Sequence, residues 1–384
     1  MNSERRISLA MPDLRGNEAR YLAECVRDNW VSTAGPRVGE MERRIAELTG
    51  RRFAIATVNG TTAIQLALIA AGVSRRDLVV VPDWTFAASA AAIYHAGAEA
   101  YFVDVTQESW TLDPGLVARA FDVAPRRIAA VIAVHACGHP ADMDRLADVC
   151  RERGVPLIED AAGAIGARYK GRPAGALGDV SIFSFNGNKT VTAGGGGMIV
   201  TDDETIAVRA RHLSTTARVG IRYEHDAIGF NFRMTNLNAA VGVAQLERLD
   251  EMVAAKRRIA ALYDAALAGR PDIDAMPRCA WAESSCWLYT VKTAGAAAAD
   301  ALVRHLGSAG IESRVFWRSL SSQTPYAAAP RLLSGVSADS LSGRCVSLPC
   351  SSHLSDTDQA FVIEHMRSYA GPVQNGGLRS RRAG

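Results

Sequence analysis

Residues Val155-Pro156-Leu157-Ile158-Glu159-Asp160-Ala161-Ala162 read as a short apolar strand that stops at two adjacent carboxylates and continues into small residues. A strand without a polar face belongs inside a sheet that is covered on both sides. Six comparable runs surround it, at 53–58, 78–82, 100–103, 128–134, 180–185 and 197–201. Helical patterns lie between several of them. One, at 61–71, ends at Gly72; another, at 142–153, is apolar at 143, 146, 149 and 150 and ends at Gly154. Glycine is a common helix stop. This alternation predicts an α/β fold with a mostly parallel seven-stranded sheet between helices.

Beyond Thr201 the pattern changes. Residues 236–268 have few breakers and predict one long helix. A strand near 286–292 and helices near 296–309 and 356–369 predict a smaller C-terminal α/β domain. The expected organisation is an N-terminal segment at 1–30 that joins the smaller domain, a large domain at 31–250, the smaller domain at 251–370, and a tail at 371–384.

The 384 residues are 48% hydrophobic and 22% charged, which fits a globular chain and excludes collagen-like, disordered and coiled-coil classes. The net charge is +3, and the tail arginines Arg379, Arg381 and Arg382 account for all of it. No basic surface for nucleic acid is therefore expected. No uncharged apolar stretch approaches the roughly 18 residues of a membrane helix, and MNSERRISLAMPDL lacks the apolar run of a signal peptide. The seven cysteines form no C-x-x-C pair, which fits reduced thiols. The expectation is a cytoplasmic protein with no membrane, nucleic-acid or metal partner.

Ligands of open parallel sheets bind beyond the carboxyl ends of the strands, and three features lie at such ends. Val58-Asn59-Gly60-Thr61-Thr62 turns a strand into a helix whose first-turn N–H groups suit an anion. Alone it is also a plain strand–helix turn with a threonine cap. Glu159-Asp160 either caps the following helix or faces a protonated heterocyclic nitrogen. Ser184-Phe185-Asn186-Gly187-Asn188-Lys189 sets a lysine between a buried strand and the glycines 194–197. A desolvated lysine has a lowered pKa and forms an imine with an aldehyde. Together, a phosphate cradle, a strand-end carboxylate and a lysine 29 residues later match the needs of a phosphorylated pyridine aldehyde. No G-x-S-x-G, P-loop or dinucleotide fingerprint occurs in context.

From about residue 7 to 370 the sequence resembles the DegT/StrS family of fold-type-I, pyridoxal-phosphate-dependent sugar aminotransferases. The marks are N-G-T-T-A-I at 59–64, P-D-W-T-F at 82–86, D-M-D at 142–144, I-E-D-A-A at 158–162 and Y-K-G-R at 169–172. G-D-V-S-I-F-S-F-N-G-N-K at 178–189, G-F-N-F-R-M at 229–234 and S-L-P at 347–349 complete them. The resemblance implies pyridoxal 5'-phosphate as cofactor. It makes Lys189 the covalent anchor and proton shuttle, Asp160 the partner of the ring nitrogen, and Phe86 the stacking ring. Gly60, Thr61, Thr62 and Ser184 would bind phosphate, and Asn231 would reach the phosphate of a neighbouring subunit in a homodimer.

One position departs from the family. Three residues after the aspartate, where a Gln, His or Glu usually stands near the ring hydroxyl, this chain has Gly163. A water or a substrate group is expected to fill the gap, with activity retained. W-V-S-T at 30–33 and G-H-P-A-D-M-D at 138–144 look most like 4-aminotransferases of nucleotide-linked 4-keto-6-deoxy sugars, of the legionaminic acid, bacillosamine or perosamine type, with glutamate as donor. His225, Arg233, Trp317 and Tyr326 are substrate candidates, as are Asn186 and Asn188, which either meet sugar hydroxyls or shape the turn. Amination of another cyclic ketone, such as an inosose or an antibiotic sugar, and a non-catalytic cofactor sensor are the competing readings.

Overall fold

The computed structural model describes residues 5–369, so the tail expected at 371–384 lies outside the described residues. All seven expected strands form: β1 (Phe53–Thr57), β2 (Leu78–Pro82), β3 (Glu99–Val103), β4 (Ile128–Val134), β5 (Leu157–Asp160), β6 (Val180–Ser184) and β7 (Gly197–Thr201). Their order is β1-β7-β6-β5-β4-β2-β3. β2 to β6 run parallel, and β7 is antiparallel to both β6 and β1. An eighth strand, Arg331–Leu332, adds in parallel to the β3 edge. Two residues are too short to show an alternation, so the sequence reading missed it. β5 starts at Leu157 rather than at Val155, and Pro156 in between has no N–H to give to a ladder.

Alternation along the strands feeds two separate cores. Ala130, Ile132 and Val134 of β4 pack in one, with Val79 and Val81 of β2. Val131 and Ala133 point the other way and pack with Leu78 and Val80. That period of two is why these runs read as continuously apolar.

The expected helix at 236–268 is two helices, Asn236–Leu246 and Leu249–Leu267. No glycine or proline marks the break. Gln245 donates to the Asp13 carbonyl and to Glu18, and the Arg248 guanidinium pairs with Asp13 at 3.1 Å. Partners more than 200 residues away hold the bend open, so local pattern had no means of showing it. The second helix serves both units. Leu249, Met252 and Val253 pack in the large body, whereas Ile259, Ala260, Tyr263 and Leu267 pack in the smaller one.

The smaller unit is a four-stranded antiparallel sheet of Ile273–Ala275, Tyr289–Thr293, Cys345–Leu348 and Arg314–Val315. Helices Ala296–Ser308 and Asp356–Ser368 contribute Leu302, Leu306, Val362 and Met366 to its core. The N-terminal segment divides between the two units. Ile7 bridges Ile311 and packs in the smaller core, but Tyr21 and Cys25 of helix Glu18–Arg27 pack on the large body. Among the described residues, no helix is long and apolar enough to cross a membrane.

Candidate active site

The carboxyl ends of β4, β5 and β6 lie side by side, with Val134 opposite Asp160 and Asp160 opposite Ile182. A cavity of about 270 Å³ opens there, lined by Gly60, Thr61, Phe86, Asp160, Gly163, Ser184, Asn186, Lys189 and Trp317 of the expected site. Three chain segments, far apart in sequence, thus converge as the strand-end rule requires.

The phosphate-side features are local consequences of sequence. Asn59 caps helix Gly60–Ala70 by accepting the Thr62 N–H at 2.9 Å, and the Thr62 hydroxyl donates to the Asn59 carbonyl. Thr62 is therefore engaged in the cap rather than in the cavity lining, a correction to its expected role. Gly60 and Thr61 carry first-turn N–H groups that the helix itself does not satisfy. A Cβ at Gly60 would stand 2.7 Å from Cβ of Ser184, so glycine is what lets the helix start meet the end of β6.

Asp160 is buried, and its oxygens accept the Ser89 hydroxyl at 2.7 Å and the Ala162 N–H at 3.1 Å. Burial raises its pKa, while Ser89, Ala162 and the nearby Lys189 pull the other way. Lys189 lines the same cavity, and burial lowers its amine to about 7, against the opposing pull of Asp160 and Cys137. Near neutral pH a large fraction of this amine is unprotonated and nucleophilic. Its Nζ stands 3.4 Å from the centroid of the Trp287 ring.

Strand ends also bring in residues that the sequence reading missed. His135 follows β4 and lines the cavity. Its Nε2–H donates to Glu159 at 2.9 Å while Nδ1 accepts the Ala141 N–H, which fixes the tautomer. Glu159 in turn accepts from Gly175, Leu177, Gly178 and Ser181, and its pKa falls to about 2 despite burial. Of the two carboxylates at the end of β5, one is thus fully engaged inside the protein and the other faces the cavity. Applying the strand-end rule to β4 would have found His135. Thr85 stands just beyond the end of β2 and the same rule reaches it, whereas Ser89 and Trp287 had no such signal.

Thr85 tests whether a polar group belongs in this space. It lines the cavity, is 1% exposed, and its hydroxyl has no hydrogen-bond partner. An orphan of this kind calls for a polar partner from a ligand. With the imine-forming lysine, the buried carboxylate and the helix start, the lining fits a phosphorylated pyridine aldehyde. Among the described residues no cluster of His, Cys, Asp or Glu is placed to hold a metal ion.

The remaining expected residues lie elsewhere. Tyr326 is buried between Phe102 and Tyr94 in the core, not in the cavity, which removes it as a substrate contact. His225, Asn231 and Arg233 sit on an exposed arm at 215–233 and do not line the cavity of their own chain. Asn188 and Trp317 line an adjoining chamber of about 580 Å³, which shares Phe86, Asn186, Lys189, Trp287 and Trp317 with the inner cavity. The gap expected beside Gly163 is filled by protein: a Cβ there would lie 2.3 Å from the Trp287 indole. Neither water nor substrate is needed to fill it.

Residues 12–367 match the model of the DegT/DnrJ/EryC1/StrS aminotransferase family. The GDP-perosamine synthase of Caulobacter vibrioides is 40% identical over 84% of this chain and 87% of its own. The crystal structure of Streptomyces venezuelae DesV with a ketimine intermediate superimposes with a TM-score of 0.86 at 33% identity, over 94% of this chain and 98% of that one. DesI crystallised with its TDP-sugar product gives 0.83 at 32% identity, over 94% and 93%.

Proposed function

Since the chain belongs to the DegT/DnrJ/EryC1/StrS aminotransferase family and is a pyridoxal-phosphate-dependent transaminase, we propose that it transfers the amino group of glutamate to a 4-keto-6-deoxy sugar carried on a nucleotide. The chamber joined to the inner cavity carries this reading. Its wall includes Phe316, Trp317, Arg314 and Arg318. Arginine forks suit a diphosphate and aromatic faces suit a sugar or base. One relative named above is a GDP-perosamine synthase and another, DesI, was crystallised with its TDP-sugar product, and both names carry a sugar on a nucleotide.

When bound, the cofactor supplies an aldehyde that condenses with amines and a protonated ring that accepts an electron pair from the substrate carbon. Lys189 would supply the anchoring amine, and its free amine would move the proton at the reacting carbon. Asp160, held by Ser89 and the Ala162 N–H, keeps a proton on the ring nitrogen by its negative charge. Gly60, Thr61 and Ser184 would hold the phosphate. Phe86, at the cavity mouth and 60% exposed, would cover the ring.

The active unit in this reading is a homodimer. The arm at 215–233 bears Ile221, Tyr223 and Ile228 at 96%, 88% and 93% exposure. Apolar side chains so fully exposed belong against a partner. A second copy would then receive Asn231, His225 and Arg233 near its site. Seven cysteines, none of them in a disulfide, fit work in the cytoplasm.

The test is the visible spectrum of the purified protein. A band from the lysine-bound cofactor that glutamate bleaches, and that Lys189→Ala lacks, is the expected result. A band that glutamate leaves unchanged would refute glutamate as donor, and no band at saturating cofactor would refute the role of Lys189.

A further inference from the structure

Trp287 arrives at the site from the smaller unit, on a strap that is seated against two glycines. Ser284 and Ser285 donate side-chain hydrogen bonds to the Gly138 and Gly163 carbonyls, both at 3.0 Å, and the Ser285 N–H donates to the Gly138 carbonyl. Cys286 adopts a left-handed φ of 52°, a turn that aims the next residue inward. A Cβ at Gly138 would lie 2.3 Å from the Ser285 hydroxyl, and one at Gly163 2.3 Å from the indole. At the far end, the buried Lys256 amine donates to the Trp287 carbonyl at 3.1 Å. The indole Nε1–H donates to the Asn188 carbonyl at 2.8 Å, on the peptide that leads into Lys189.

We propose that Gly163 and Trp287 are a matched pair, in which the missing side chain at 163 admits an indole that positions Lys189 and keeps water from its amine. The ring occupies the place that any side chain at position 163 would take. It touches both chambers, as Lys189 does, so the ring stands beside the reacting amine where the two chambers join and covers one side of it. This pairing concerns the lysine and stands whatever ketone the enzyme aminates.

Two effects of the ring on the amine oppose each other. An aromatic face attracts the ammonium form, whereas exclusion of water disfavours it. Burial is the largest influence on Lys189, so losing the ring and admitting water raises the pKa of the amine. The other groups facing it are Asp160 on β5, Cys137 after β4 and, through Asp160, His135. The Cys137 thiol is pushed up to about 12 by burial and stays neutral, so it does not account for a change near neutral pH.

The experiment follows the rate at which the cofactor-stripped protein captures pyridoxal phosphate, as a function of pH. The wild-type midpoint is expected near the amine value of about 7. Trp287→Ala should move the midpoint up by about one pH unit or more, and Trp287→Phe, which keeps a ring over the amine, should leave it near wild type. Gly163→Ala leaves Trp287 in the sequence but displaces it, so its midpoint should also rise. Adding Trp287→Phe should return it, because the smaller ring leaves room for the methyl group. Thermal melts confirm that each variant is folded. If Trp287→Ala does not fold, the comparison of Gly163→Ala with the Gly163→Ala/Trp287→Phe double variant decides. Unmoved midpoints in folded Trp287→Ala and Gly163→Ala, or a double variant no closer to wild type than Gly163→Ala alone, would overturn the proposal.

Discussion

Replacing Lys189 with methionine keeps most of the side-chain volume and removes a half-buried amine, and the effect on stability is a function of pH. The amine falls from 10.5 to about 7 on folding. A lowered lysine pKa means that between these values the unfolded chain holds a proton that the native one does not, so stability rises with pH across that window. With about 1.36 kcal/mol per pH unit of separation, the amine costs the native state about 5 kcal/mol at pH 6 and about 2 kcal/mol at pH 9. Water in the cavity reduces both figures. Lys189→Met should therefore exceed the wild type by about 3 kcal/mol more at pH 6 than at pH 9. Urea denaturation of cofactor-free protein, at one protein concentration and both pH values, reads this difference. A stability difference that does not change with pH would refute the half-buried, neutral amine.

Other perturbations follow from the same contacts. Gly60→Val puts a side chain where even a Cβ meets Ser184 at 2.7 Å; cofactor affinity should fall at least tenfold, about 1.4 kcal/mol, in equilibrium titrations. Glu159→Leu strands five donors inside the protein and should cost about 3–5 kcal/mol in urea melts, whereas Asp160→Asn should leave folding nearly intact and abolish turnover. Arg318→Ala should raise KM for a nucleotide sugar several-fold without changing the glutamate half-reaction, as separate steady-state titrations would show.

The sequence was most informative where local pattern and chemistry coincide. Buried strands announced themselves by their Val and Ile runs, and Gly60, Asp160 and Lys189 by standing at strand ends. The helix break at Glu247–Arg248 was hidden because Asp13 and Glu18 cause it from the other end of the chain. Trp287 was hidden for the same reason: a tryptophan 98 residues from Lys189 reads as a core aromatic until folding lays it on the amine. Tyr326 failed in the opposite direction, since its proximity in sequence to Trp317 says nothing about the side of the sheet on which it packs.

The central claim, amino transfer to a nucleotide-linked keto sugar, is tested most directly by following isotopically labelled nitrogen. The enzyme is incubated with labelled glutamate and a nucleotide-linked 4-keto-6-deoxy sugar, and the products are resolved by mass spectrometry. The account predicts label in an amino sugar still attached to its nucleotide, and none with Lys189→Ala. Label that stays in glutamate across a panel of such sugars, but enters a free cyclic ketone supplied in their place, would contradict it.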